Sequence, residues 1–279
     1  MIYNNIKFYI VSDLTFTIPA EIKKYITVVT PQPTHLNQGT GIKLYIDKYL
    51  QTKYTLYIDS DCLCYDSLQS TFNAFNHKIV SAVGNLVYAE DWCGKEQAET
   101  VLKTFNLNKL TRFNGGMYYI KECKQAFEIF DKARALALQY DQLKFDRIHH
   151  NWINEEILMS IAMGLNNELA IPDIGLFMTD LYTDLHTSKL NILTGYRKVN
   201  NPQEGEIYHR NWYPAGQLQP AVIHFGSSNL YKYPYVSQHL LFKLKSKLRF
   251  TAVASVLVRL LVHFPFQIKY RLQKLIYTY

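Results

Sequence analysis

Cysteine is scarce in this chain of 279 residues: only Cys62, Cys64, Cys93 and Cys123, with no pair at CxxC spacing. That spacing excludes a zinc-ribbon framework, and so few cysteines exclude a disulfide-built scaffold. Cys62 and Cys64 read as ordinary thiols at a strand end, and the low count fits a reducing compartment. Glycine (12) and proline (9) are also sparse, and no repeat or low-complexity stretch interrupts the chain. Collagen-like and disordered classes are thereby set aside. The N-terminus has no signal-peptide apolar region or small-residue cleavage site, so the body is expected in the cytoplasm. Acidic residues are missing altogether from Val236 to Tyr279, which holds eight Lys or Arg. The formal net charge is +7, which the tail alone exceeds, so the body is close to neutral. A broadly basic nucleic-acid-binding protein is therefore not expected. A local anionic partner, such as a membrane surface, is.

Apolar residues make up 48% of the chain and charged residues 19%, enough for a full core. Ile6 to Ser12 (IKFYIVS) predicts a buried strand, Ile18 to Tyr25 a short helix with Pro19 in its first turn, and Ile26 to Thr30 a second strand. Gly39 to Leu50 predicts a helix with Ile42, Leu44, Tyr45, Tyr49 and Leu50 on one face. Tyr54 to Ile58 (YTLYI) is a third strand, running into Asp59-Ser60-Asp61. Further strands are expected at Ile79 to Val83, Gly115 to Ile120, Ile171-Pro172 and Ala221 to Phe225. Further helices are expected at Gln97 to Thr104, Cys123 to Tyr140 and Asn154 to Gly164. Strands alternating with helices predict an α/β fold around a parallel sheet. Asp180 to Pro220 is polar and irregular, as functional loop regions often are.

The strongest chemical signal is the DxD after YTLYI. Ligands of open α/β sheets bind at the carboxyl ends of strands, and residues i and i+2 of an extended segment project to one side. Asp59 and Asp61 can therefore approach one ion, and a divalent cation relieves their repulsion. His224 ends the apolar strand AVIH. Two carboxylates with one imidazole suit Mn²⁺ and tolerate Mg²⁺, with a substrate diphosphate completing the shell. Gly226, Ser227 and Ser228 follow, small enough for backbone N–H groups to reach phosphate. Lys232 can neutralise a leaving diphosphate. The two glycines of FNGG (Phe113 to Gly116) read as a close backbone approach of a ligand or as a tight turn. Glu155 and Glu156 read as candidate bases, together with Asp146 and Asp180, or as first-turn acids placed by the helix dipole. Trp152, Tyr208, Trp212 and Tyr213 are candidates for stacking on sugar rings, with His209 and Arg210 nearby as an acceptor lining.

YTLYIDSD, FNGGMYYI, NEEIL and HFGSS, in that order, resemble glycosyltransferase family 8 and its relatives of the GT-A fold. The likeness runs from about Ile6 to Lys232. It implies a GT-A mixed sheet flanked by helices, a UDP-sugar donor, and retention of anomeric configuration. Asp59, Asp61 and His224 match the family's metal ligands. Ser60, Gly226 and Lys232 fall at or near its diphosphate contacts, Lys232 two places late. Asn114 and Gly115 match the segment along the donor sugar, and Lys43 a basic residue supporting the donor phosphates. Ser12 and Asp13 fall where the nucleoside is held. Asn154 and Glu155 stand where the family has Asp-Gln, or Glu155-Glu156 does if the register slips by one. Two departures stand out: the DxD comes early in the chain, and Asp-Gln has become Asn-Glu.

The resemblance divides the chain into a glycosyltransferase domain, 1–235, and a basic helical tail, 236–279. Within Phe250 to Phe266, Arg259, His263 and Pro265 argue against a span and for helices lying in the headgroup plane. The expected partners are a sugar nucleotide, a saccharide or glycolipid acceptor and the inner face of a membrane, in bacterial surface-glycan synthesis. A non-catalytic sugar-nucleotide binder is the alternative. A nucleotidyltransferase is a lesser one, since VSDLTFTIP lacks the Gly-rich basic loop that class carries after its first strand.

Overall fold

The computed structural model describes residues 6–36, 38–148, 151–180, 188–206, 209–226, 229–248 and 250–277. In chain order the strands are β1 (Phe8–Val11), β2 (Ile26–Val29), β3 (Tyr54–Ile58), β4 (Cys62–Cys64), β5 (Val80–Ser81), β6 (Val83–Tyr88) and β7 (Lys109–Phe113). There follow β8 (Met117–Lys121), β9 (Ile171–Pro172), β10 (Met178–Asp180), β11 (Lys189–Asn191), β12 (Tyr196–Asn201), β13 (Gly216–Leu218) and β14 (Val222–His224). The α-helices are α1 (Ala20–Lys23), α2 (Gln69–Phe75), α3 (Glu90–Cys93), α4 (Lys95–Phe105), α5 (Lys124–Leu138), α6 (Glu155–Leu165), α7 (Tyr235–Leu248), α8 (Thr251–Val258) and α9 (Phe264–Tyr277). Two compact units result: Met1–Ile58 with Leu68–Pro172, and Asp59–Ser67 with Asp173–Tyr279.

The first unit is a mixed α/β assembly. β1 and β2 pair in parallel, β8 lies between β3 and β5 and runs antiparallel to both, and β6 lies between antiparallel β7 and parallel β9. Met117, Tyr118, Tyr119 and Ile120 of β8 are all buried, which explains its unbroken apolar run. Helix α5 buries Ala126, Ile129, Phe130, Ala133 and Leu136, a stripe at helical spacing. Helix α6 is buried from Ile157 to Met163 and is started by Asn154, whose side chain accepts the Glu156 N–H.

The segment Gly39–Tyr49 is helical but wound in 3₁₀ turns. Its buried positions are Gly41, Leu44, Ile46 and Asp47, three of them at the three-residue period of that helix. Of the expected apolar face, Leu44 lies in the core and Tyr45 and Leu50 pack against it. Asp47 is buried because Arg134 of α5 meets it with two bonds, at 2.7 and 3.0 Å, while also donating to the Leu44 carbonyl at 2.6 Å.

The second unit is built on β14, which pairs in parallel with β10 and antiparallel with β4. A second antiparallel sheet, β11-β12-β13, lies in the region expected to be irregular. Polar residues such as Arg197, Lys198 and Asn200 fill β12, so its strand signal is masked. Tyr65, Val199, Tyr213, Leu218, Ile223 and Phe225 form one core and Leu241, Ala254 and Val258 a smaller one under α7 and α8. The stretch Thr251–Leu272 is continuously helical, passing through a π-turn at Arg259–His263. By length and composition alone it is apolar enough to cross a membrane, with mean hydropathy 1.5. It is also tied to the loop after β14: the Tyr233 hydroxyl lies 2.9 Å from His263 Nδ1, and the Tyr233 ring stacks on Phe266 at 4.1 Å.

The parallel sheet expected from alternating elements is thus corrected to mixed pairing. Periodicity reports which faces are buried, not the direction of the neighbouring strand. The expected helix at Ile18 to Tyr25 is a single turn, α1.

Breaking the Asp47–Arg134 pair leaves the buried Asp47 carboxylate with only the exposed Lys48 ammonium, at 3.2 Å. Arg134→Met is expected to destabilise the protein by about 3 kcal/mol, read as a lower urea midpoint. Arg134→Lys, which cannot make the two-pronged bond, is expected to fall between.

Candidate functional site

The last residue of β14, His224, lies directly opposite Asp180 of β10 and directly opposite Cys62 of β4. Directly paired residues of neighbouring strands project to the same face. Asp180, His224 and Cys62 are therefore one rung across three strands. Asp180 Oδ1 sits 2.8 Å from His224 Nδ1. The other ring nitrogen, Nε2, is 3.2 Å from Asp61 Oδ1 and 3.9 Å from Asp59 Oδ2. Asp59 and Asp61 are brought round by a turn in which the Cys62 N–H donates to the Asp59 carbonyl at 3.1 Å, and Asp61 is fixed to β14 by the Phe225 N–H on its own carbonyl, also 3.1 Å. The three expected metal ligands thus converge, from segments more than 160 residues apart in sequence.

Burial alone would lower the His224 pKa, but hydrogen bonds to Asp180 and Asp61 and the charges of both raise it to about 10. The imidazolium balances part of the negative charge gathered there. A divalent cation balances more of it, and two carboxylates with an imidazole are a fitting donor set.

Asp180 had only been one of several candidate bases. Its place is behind His224, as the carboxylate that orients the ring, an arrangement common behind metal-bound histidines. It is buried, and its N–H donates to the Tyr213 hydroxyl at 3.2 Å. Burial, then the Asp180 charge, pushes the Tyr213 pKa well up. Tyr213 is therefore core to this network and not a sugar-stacking surface. Asn201 holds its loop: the side-chain amide donates to the carbonyls of Arg210, Tyr213 and Pro214 and accepts the Arg210 N–H. Neither role was visible in the sequence, where only a polar residue in irregular surroundings can be seen.

Gly226 has φ +68°, a left-handed conformation that favours glycine, and its carbonyl accepts the Asn229 N–H. Lys232 is exposed. Ser227, Ser228 and Tyr208 lie outside the described residues. Ser60 is exposed at the tip of the DxD turn. His209 Nδ1 meets the Pro202 carbonyl at 2.6 Å, and Arg210 lies over the Trp212 ring, with Trp212 itself 43% exposed.

A second cluster stands in the first unit. Glu155 is 2% exposed and pairs with Lys43 at 3.3 Å, and Lys43 also donates to the Gly115 carbonyl at 3.0 Å. Burial raises the Glu155 pKa against the opposing pull of Lys43. Glu156 accepts the Gly115 N–H at 2.6 Å, and Asn114 accepts the Gly116 N–H at 2.8 Å. A Cβ on Gly115 would meet Glu155 Oε1 at 2.8 Å and Glu156 Oε1 at 3.2 Å. The glycine is required by this close approach of two carboxylates, a reason the motif alone did not supply. Lys43 and both glutamates are thus engaged with one another and with the FNGG turn. Asp146, another candidate base, accepts a bond from Gln97. In the same unit the Ser12 hydroxyl accepts the Leu14 N–H and Asp13 is exposed. Trp152 is 36% exposed and covers Gly39.

No protein-family model matches the chain, and no curated protein sequence matches it. Among solved structures, an active-site variant of LgtC is similar at TM-score 0.48 and 16% identity, over 77% of this chain and 74% of that one. The galactosyltransferase LgtC in complex with donor and acceptor sugar analogues is similar at 0.43 and 17%, over 76% and 70%. Mouse xyloside xylosyltransferase 1, in its apo form, is similar at 0.41 and 8%, over 75% and 78%. All three TM-scores are below 0.5, so the functional reading stands on the residues.

A raised histidine pKa stabilises the fold in its protonated form. In the metal-stripped protein this contribution is fully present below about pH 6.5 and is lost as pH rises through about 10. Asp180→Asn is expected to bring the His224 midpoint well down toward 6.5, measured by ring-proton NMR titration. An unmoved midpoint would show that Asp180 does not act on the ring.

Proposed function

We propose that this chain is a divalent-cation-dependent glycosyltransferase of the GT-A type, transferring a hexose from a nucleotide sugar, with UDP as the favoured nucleotide, to a saccharide or glycolipid acceptor. The observation that carries the reading is the convergence of Asp59, Asp61 and His224 on one point. In this reading they would hold Mn²⁺ or Mg²⁺, which would supply charge neutralisation for a leaving diphosphate.

The chain's own groups do the rest. Asp180 keeps the His224 ring turned so that Nε2 faces Asp61. Gly226, with its positive φ, is assigned to the diphosphate, with Ser60 and Lys232 as further contacts. Ser12 and Asp13 are assigned to the nucleoside. Asn114 and Gly115 are assigned to the sugar, with Lys43 setting the Gly115 carbonyl in place. Asn154, Glu155 and Glu156 form the catalytic group. Asn154 starts α6, and the two glutamates brace the FNGG turn, so that their carboxylates and its backbone keep one geometry. Retention of configuration follows from the family likeness.

We assign the tail to an anionic membrane surface on the cytoplasmic side. Val253, Val256, Leu260, Leu261, Phe264, Ile268 and Leu272 are all about half exposed or more, while Arg259, Lys269 and Arg271 supply charge without any acid nearby in sequence. The ties from Tyr233 to His263 and Phe266 hold the middle of this helix to the protein, which favours lying in the interface over spanning it.

The test is a screen of UDP-, GDP- and CMP-sugars with Mn²⁺, reading nucleotide release. UDP-hexose turnover is expected, abolished by chelator and reduced about 100-fold or more in Asp61→Ala. Gly115→Ala, which displaces both glutamates, is expected to lower turnover by about 100-fold while leaving Mn²⁺ affinity intact. Full turnover in Asp61→Ala contradicts the metal assignment, and Mn²⁺-dependent donor binding without release in any arm supports the non-catalytic alternative. Separately, co-sedimentation with phosphatidylglycerol vesicles, but not with pure phosphatidylcholine, is expected, and release by high salt. Material that resists both salt and alkaline carbonate would indicate a span.

A further inference from the structure

The Asp59/Asp61/His224 set explains the DxD and the histidine but leaves out the third member of the rung. Cys62 is the cross-strand partner of His224, on the face opposite to the one Leu63 uses. An Asp61 carboxylate oxygen, the Cys62 Sγ and a His224 ring nitrogen all lie within 4.8 Å of one another. Cys62 is only partly buried and is in no disulfide. Asp59 stands 3.9 Å from His224, outside this group of three donors: one oxygen, one nitrogen and one sulfur.

Sulfur changes what that point prefers. Mn²⁺ and Mg²⁺ are hard cations that take oxygen and imidazole and gain little from a thiolate, whereas Zn²⁺ and Cd²⁺ bind thiolates strongly. A tetrahedral zinc with bonds of about 2.0–2.3 Å needs donors roughly 3.3–3.8 Å apart. Asp61 and His224, at 3.2 Å, are close to that spacing, and all three donors lie within 4.8 Å of one another. Three protein ligands of this kind are enough to hold zinc with one position left open.

We propose that Cys62 gives this site a second, thiolate-containing donor set, Asp61, Cys62 and His224, which takes a zinc-class cation and thereby withholds Asp61 and His224 from the harder cation. This deepens the sugar-transfer reading, on which only its regulatory consequence rests. It also runs against the expectation drawn from the missing CxxC spacing. That rule covers ligands close in sequence, whereas here strand pairing brings Cys62 and His224 together.

The experiment uses the full chain, stripped of metal. Cd²⁺ is the spectroscopic probe, since a cadmium–thiolate bond absorbs in the near ultraviolet. One equivalent is expected to produce the band in the wild type and in Cys64→Ser, whose thiol points to the Asp66 carbonyl, and to produce none in Cys62→Ser. Competition between Zn²⁺ and Mn²⁺ gives the second readout: the preference for Zn²⁺ is expected to fall at least about tenfold in Cys62→Ser. Circular dichroism and a second variant, Cys62→Ala, guard against misfolding. A band that persists in both Cys62 variants, or a Zn²⁺/Mn²⁺ preference that neither changes, overturns the proposal. The sugar-transfer reading fails separately, by absence of Mn²⁺-dependent nucleotide release, whatever the cadmium band does.

Discussion

Three carboxylates gathered around one imidazole are the constraint on which the rest of the second unit is arranged. Asp180 holds Nδ1 of His224, Asp61 meets Nε2, and Asp59 stands just beyond. Such crowding of negative charge is unfavourable without a counter-charge. In the metal-free protein, the proton that His224 retains up to about pH 10 provides part of it. A divalent cation in the same place would provide more. The strand pairing of β10, β14 and β4 enforces the crowding, because each residue of the rung is locked in register by backbone hydrogen bonds. Behind it, Tyr213 and Asn201 keep the backbone on the Asp180 side in place, so the ring cannot relax by rotating away.

The first unit answers a similar problem in another way. Glu155 is buried, and Lys43 pairs with it while also capturing the Gly115 carbonyl. Glu156 takes the N–H of the same glycine. Both peptide groups flanking Gly115 are thereby held by charged side chains, and a Cβ there would press on the Glu155 and Glu156 carboxylates, which would have to shift. The energetic cost of burying these charges is offset by charge-assisted hydrogen bonds, which makes the FNGG turn rigid. Rigid backbone beside acidic groups is what a polar ligand such as a sugar requires for orientation.

The tail follows a third principle. Its helices carry cations and no anions, and one face stays apolar and open to solvent. An exposed apolar face of that kind is poorly matched to water, which is the physical basis of the proposed contact with anionic lipid. The contacts from Tyr233 to His263 and Phe266 are the polar and stacking ties that give the helix a fixed place on its own unit.

Much of this was legible in the residues. Strands such as YTLYI and GGMYYI, and the helices from Lys124 and Glu155, announce themselves by composition and period, and Asn154 as an N-cap is a local property. Asp59 and Asp61 share a side because two-residue spacing in extended chain dictates it. What local chemistry cannot carry is pairing. The β11-β12-β13 sheet was missed because polar residues fill it, while the mixed strand directions, which leave no trace in periodicity, were expected only from the GT-A likeness. Asp180 behind His224, Cys62 opposite it, Asn201 under Tyr213, and Lys43 on Glu155 each join residues from twelve to more than a hundred positions apart. Such contacts depend on sheet register and helix docking. Asp59, Asp61 and His224 were therefore legible in the sequence, through spacing and family likeness, whereas Asp180 and Cys62 were brought beside them by the tertiary structure alone.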